Sequence, residues 1–134
     1  MIIMPEFFHD KRLYYTPIEF GLSHIGGTWK MPILWRLQEK PLRFSELKKD
    51  IPHITDKMLT SQLRELEAKD MIHREVFPVV PPKVEYSLTE KGKKAIPVIE
   101  TIMMFGYDLI KEEGITFPPK EEKSLSEKDS IPGT

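Results

Sequence analysis

Residues 45–88 read SELKKDIPHITDKMLTSQLRELEAKDMIHREVFPVVPPKVEYSL, and the order of segments in this stretch decides the fold. A short helical segment is expected over Ser45–Asp50, closed by the break Ile51-Pro52-His53-Ile54. A long amphipathic helix follows at Thr55–Asp70. Thr55 suits its N-cap, Asp56 suits the positive end of its dipole, and Met58, Leu59, Leu63 and Leu66 form its apolar stripe. Two strand-like runs, Met71–Phe77 and Lys83–Leu88, flank the turn Pro78-Val79-Val80-Pro81-Pro82. Within the second run Val84, Tyr86 and Leu88 alternate as a half-buried strand requires. Helix, turn, helix and β-hairpin in that order make a winged helix-turn-helix, mostly α with a small β-hairpin. That arrangement presents one helix to the major groove of DNA and a loop to the neighbouring backbone.

Upstream, Pro17–His24 reads as a helix with proline at its first position, broken by Gly26-Gly27. A second helix is expected over Thr28–Glu39, with Trp29, Ile33, Leu34 and Leu37 at helical spacing and Pro32 tolerated in the first turn. Leu42-Arg43-Phe44 reads as a short first strand. Residues 1–14 form an N-terminal arm with several aromatic residues, either docked on a partner subunit or a ragged terminus. Downstream, Thr89 suits the cap of a long helix, Glu90–Glu112, which Pro97 should kink or split and Gly106 should weaken. The winged domain with its dimerisation helices thus spans 15–112. Residues 113–134, low in hydrophobicity and without period, are expected to be a disordered acidic tail.

Composition narrows the function. The chain of 134 residues holds no cysteine, which excludes disulfides, thiolate metal sites and thiol nucleophiles within it. No apolar run approaches the ~18 residues of a membrane span, and the start has no basic segment before an apolar core, so the expected location is the cytoplasm. Net charge is −1, but Lys30–Lys93 carries 13 Lys and Arg against 10 Asp and Glu, while Glu113–Thr134 carries 3 Lys against 5 acids. The tail masks a mildly basic middle. The four histidines, His9, His24, His53 and His73, have no metal-ligand spacing, and no Gly-rich phosphate loop or nucleophile–base arrangement stands out. No catalytic residue, cofactor or metal is expected, and an enzyme is the disfavoured class.

The residues that fit DNA lie on one helix face. Lys57, Thr60, Ser61 and Arg64 fall at i, i+3, i+4 and i+7, opposite the leucines. Arginine can bond a guanine edge bidentately, and Ser and Thr reach bases or phosphates. An ordinary solvated face would lean on Lys and Glu, whereas the N-terminal half of this one holds no acid except Asp56. Thr55 at the cap, Pro82 and Lys83 at the hairpin tip, and Arg43, Ser45 and Lys48 around the preceding helix complete the candidate contacts. The last helix is apolar on more than one stripe, so it must bury more than one face. Ile99, Ile102, Met103, Phe105 and Leu109, with Ile18 and Phe20 of the first helix, are the candidate dimer contacts.

These segments together resemble the HxlR family of bacterial and archaeal winged-helix transcription regulators. The resemblance rests on Ile25-Gly26-Gly27-Thr28-Trp29-Lys30, Arg43-Phe44-Ser45-Glu46-Leu47, Lys57-Met58-Leu59-Thr60, Gln62-Leu63-Arg64-Glu65-Leu66-Glu67, Pro81-Pro82-Lys83-Val84-Glu85-Tyr86-Ser87-Leu88-Thr89 and Gly92, and covers Tyr15 to Lys111. It implies a homodimer on a two-fold, pseudo-palindromic DNA site, with recognition helix Thr55–Asp70, wing Phe77–Lys83, and a dimer interface from the N-terminal helix and C-terminal helical region. Family members commonly carry a cysteine before the proline that opens the first helix, and some sense oxidants through it. Here that residue is Thr16, so thiol sensing is excluded. The usual basic residue between the glycines and the tryptophan is Thr28. The leading expectation is a dimeric, sequence-specific regulator, repressor or activator; the alternative is a winged-helix protein-interaction module without specific DNA binding. A small-molecule effector near Trp29, Met103 and Tyr107 is a further expectation.

Overall fold

The computed structural model describes residues 3–118. The chain divides into two units, Met1–Ile99 and Glu100–Thr134. In chain order the elements are β1 (Phe7–His9), β2 (Arg12–Tyr14), α1 (Pro17–Ile25), α2 (Lys30–Arg36), α3 (Phe44–Asp50), α4 (Asp56–Ala68), β3 (Ile72–Phe77), β4 (Lys83–Leu88), α5 (Glu90–Lys93) and α6 (Ala95–Glu112), the last running through both units.

The core of the first unit grows from the leucine stripe of α4. Leu59, Leu63 and Leu66 are buried in one cluster with Ile33 and Leu34 of α2, Leu47 of α3 and Ile72 of β3. Thr55 caps α4 as the sequence predicts, its Oγ1 accepting from the Met58 N–H at 3.1 Å. The helix closes in a Schellman turn. Met71 N–H donates to Leu66 O and Asp70 N–H to Glu67 O, both at 2.9 Å, with Asp70 left-handed at φ +60°. The turn delivers the chain into β3, which pairs antiparallel with β4 from Ile72↔Leu88 to Phe77↔Lys83. The α3–α4 turn passes through His53, also left-handed, at φ +73°.

Several boundaries differ from the sequence reading. Leu42–Phe44 is no strand: Leu42 makes one bridge to Tyr86, and Phe44 already opens α3. The carboxylate of Glu46 accepts from the Arg43 N–H at 2.8 Å and so starts the helix early. α2 is shorter than Thr28–Glu39, because Gly27 at φ +97° and Trp29 hold the chain outside the helix until Lys30. Thr89 caps only the short α5, accepting from the Gly92 N–H at 2.9 Å. The expected long helix breaks at Lys94, and Pro97 then lies in the first turn of α6, where a missing N–H loses nothing.

The N-terminal segment folds as a hairpin, which the sequence reading did not expect. β1 and β2 pair antiparallel through a turn at Asp10 and Lys11, both left-handed at φ +51° and +64°. The hairpin closes on α1 through rings: Phe7 stacks on Tyr14 at 5.4 Å, and Phe20 meets Phe7 and Tyr14 edge-on at 5.3 and 4.9 Å. Tyr14 is 3% exposed. Phe20 is therefore half-buried by its own chain, which leaves part of the ring for the expected subunit contact. Ile99, in contrast, is 6% exposed and lies in the core cluster, which corrects its assignment to a dimer interface. Ile18 is exposed on α1.

The second unit continues α6 from Glu100 to Glu112 without a break at Gly106. A second Schellman turn ends it at Gly114, φ +69°, with Ile115 N–H on Ile110 O at 3.0 Å. Ile102, Phe105 and Leu109 are exposed and Met103 is half-buried. Of the expected tail, residues 119–134 lie outside the described residues. No helix among the described residues is long and apolar enough to cross a membrane.

Candidate nucleic-acid interface

The polar face of α4 projects Lys57, Ser61 and Arg64 into solvent, with Thr60 half-buried beside them. The hairpin lies next to this face. A cleft of about 360 Å³ is lined by Thr60, Leu63, Arg64 and Glu67 of α4, Arg74 of β3 and Tyr86 of β4. Register explains why Arg74 joins them. Arg74 pairs with Tyr86 and, two residues from buried Ile72, lies on the face that turns towards the core. Arg74 is exposed and lines the cleft beside the helix. Two guanidiniums and one carboxylate thus share a cleft floored by a leucine and a tyrosine. None of the three is in an ion pair with another described residue.

α4 is held in place by two charged contacts from neighbouring helices. Lys30, on the first turn of α2, is 8% exposed and donates to Glu65 Oε1 at 2.8 Å and Gln62 Oε1 at 3.0 Å. Both acceptors are on α4, one turn apart. The hydrogen bond from Lys30, then its charge, hold the Glu65 carboxyl below its ordinary range. Lys48 of α3 meets Asp56 at the start of α4 at 2.7 Å. Arg36 ties α2 to the end of α3, its Nε donating to Asp50 O at 3.1 Å.

Comparison with known proteins agrees with this geometry. A family model described as an HxlR-like helix-turn-helix matches residues 24–114. The chain belongs to the HxlR-like helix-turn-helix family. Among its relatives, the uncharacterized HTH-type transcriptional regulator YtcD of Bacillus subtilis is 44% identical over 120 residues, 89% of this chain and 95% of that one. An uncharacterized HTH-type transcriptional regulator of Methanothermobacter thermautotrophicus is 50% identical over 93 residues, 69% of this chain and 71% of the other. Among solved structures, the redox regulator HypR in its oxidized form superposes with a TM-score of 0.66 at 47% identity, covering 69% of this chain and 95% of that chain.

Within this HxlR-like frame the candidate contacts fall into two sets. Lys57, Ser61 and Arg64 are exposed on one stripe of α4 with Thr60 half-buried among them, and Arg43 and Ser45 are exposed at the start of α3. Thr55 is exposed but its oxygen already serves the cap. Two cations are less available than the sequence implies. Lys48 is paired with Asp56. Lys83 is folded back, its Nζ 4.3 Å above the Phe77 ring and 3.7 Å from Glu85, so it is not a free charge at the tip. Pro82 is exposed at the base of that tip. Sequence reasoning missed Arg74 and Lys30. Strand alternation from Ile72 could have found the first; the second needs the fold, since its partner Glu65 is 35 residues away.

Proposed function

We propose that this transcription regulator acts as a homodimer on double-stranded DNA in the cytoplasm, by binding and not by catalysis, with α4 in the major groove and the β3–β4 wing on the flanking backbone or minor groove. The observation that carries the reading is the stripe of Lys57, Thr60, Ser61 and Arg64 on a helix whose opposite face is buried, with Arg74 brought alongside. Arg64 and Arg74 are the base-reading candidates, since guanidinium forks match guanine edges. Arg43 and Ser45 are the phosphate candidates, which orient the domain without reading sequence. Family membership and the HTH-type regulators among its relatives support DNA as the partner. The exposed Ile102, Phe105 and Leu109 of α6, with Ile18 of α1, support a second copy of the chain. Any effector would act on that dimer without thiol chemistry, because the chain has no cysteine.

The test is a selection of bound duplexes from a random pool, followed by anisotropy titrations at two salt concentrations. A two-fold motif bound by two chains, with affinity falling steeply in salt, is the expected result. Weak binding to every duplex alike, together with a tight protein partner, would replace this reading with an interaction module.

A further inference from the structure

The wing differs in kind from the rest of the interface. Its ladder ends at Phe77↔Lys83, leaving a five-residue tip, Pro78-Val79-Val80-Pro81-Pro82. Three prolines hold φ near −65° along the tip, and Val79 N–H donates to Phe77 O at 2.9 Å, so the loop is stiff. Val80 stands at its apex 99% exposed, with Val76 and Val79 half exposed below. From Val76 to Pro82 no residue is ionisable. The adjoining cation, Lys83, lies over Phe77 beside Glu85 on the hairpin face away from the core, where Glu75 and Glu85 also stand opposite each other. The next cation, Arg74, is in the α4 cleft. The tip has shape and apolar surface but no charge to offer a phosphate.

We propose that the wing engages DNA through this uncharged tip, with Val80 seated against sugars and base edges in the minor groove, and not through a lysine–phosphate contact. The inference rests on the DNA-binding reading above. Minor grooves accept apolar side chains, proline among them, as wedges that widen or kink the duplex, and such contacts release no counterions. With α4 in the major groove, the hairpin that follows it directly across the Asp70 turn is the element beside the flanking groove. A preformed loop of prolines and β-branched residues loses little conformational freedom when it docks.

The test uses the full chain and the duplex recovered by the selection, with Val80→Ser and Lys83→Ala read by anisotropy across a range of salt. Val80 is exposed, so unchanged thermal unfolding of Val80→Ser serves as the folding control. The expected result is a loss of roughly tenfold in affinity for Val80→Ser, from the lost apolar contact, with an unchanged slope of log affinity against log salt. Lys83→Ala should change affinity less than about threefold and leave the slope alone. Replacing flanking guanines by inosine removes an amino group from the minor groove only. Wild-type affinity should respond to that change and Val80→Ser should not. Wild-type-like binding by Val80→Ser overturns the proposal, as does a slope reduced by about two for the Lys83→Ala dimer, which would give each wing a phosphate contact. Failure of the wild type to prefer any duplex overturns the DNA reading and the proposal together.

Discussion

Removing either partner of the Lys30–Glu65 pair breaks the same bond, yet the two changes should differ in cost. Lys30 is 8% exposed, whereas the Glu65 side chain is 54% exposed. Glu65→Ala leaves an ammonium in the interior with Gln62 as its remaining acceptor. Breaking a fully buried pair costs about 3–5 kcal/mol. Here Gln62 still accepts and water borders the site, so about 2 kcal/mol is expected, with alanine's helix propensity offsetting only a few tenths. Lys30→Met instead leaves a carboxylate already half in water, and the methionine keeps the apolar stem packed. Exposed pairs are worth roughly 0–1 kcal/mol, and that is the expected cost. The double variant should resemble Lys30→Met, because no buried charge remains to be stranded. Urea unfolding followed by circular dichroism, at one fixed protein concentration because a dimer's stability depends on it, measures all three. A larger cost for Lys30→Met than for Glu65→Ala would refute the reasoning, since it would mean that packing of the lysine stem outweighs its charge.

The same pair makes a pH prediction. The Lys30 hydrogen bond and charge hold the folded carboxyl of Glu65 below its ordinary range, so it binds protons less readily than the unfolded one. Its contribution is present above the unfolded value and is lost as pH falls through the lowered folded value. Wild type should therefore lose more stability than Glu65→Gln on acidification from about pH 5 to about pH 3, as read by denaturant midpoints. Gly92→Ala drives a Cβ into the Met71 carbonyl oxygen, a backbone atom that also accepts from Thr89. The expected loss is about 2–3 kcal/mol despite alanine's better helix propensity, and an unchanged melting temperature would contradict it. Arg64→Ala should cost about 1–3 kcal/mol in affinity for the selected duplex and relax the preference at one base pair. Arg74→Ala tests whether the cleft holds a second reader, and equal losses on all duplexes would make it a phosphate contact instead.

The parts legible in the sequence were those whose cause is local. Thr55, the leucine spacing of α4 and the alternation of β4 each act over a few residues, and the strand Lys83–Leu88 has the expected bounds. The β1–β2 hairpin was not legible because its turn is Asp10-Lys11, without the glycine or asparagine that left-handed φ usually calls. Its strands are three residues each, and what holds them is the Phe7–Tyr14–Phe20 ring cluster, a tertiary effect. Lys30 likewise reads as a surface cation between Trp29 and Met31 until α4 is laid across it. The stripe of α4 was readable as a pattern, and alternation from Ile72 gives the face of Arg74, but the cleft that Arg74 lines exists only after the Asp70 turn swings β3 alongside the helix.

These contacts also revise what the net charge means for DNA. The sequence counts 13 cations between Lys30 and Lys93, but Lys30, Lys48, Lys83 and Lys93 already face carboxylates within the chain. The candidates on the proposed DNA face that have no ion pair among the described residues are Arg43, Lys57, Arg64 and Arg74. A dimer therefore brings about eight such cations to its site. At about 0.9 counterion per neutralised phosphate, the slope of log affinity against log salt should be no steeper than roughly −7. Lys48→Ala should alter the slope by less than one, since Asp56 already compensates that charge. Arg43→Ala should flatten it by about two for the dimer if both copies hold phosphates. A slope well beyond −7, or a Lys48→Ala effect as large as that of Arg43→Ala, would mean that the intrachain pairs open on binding and release their lysines to the backbone.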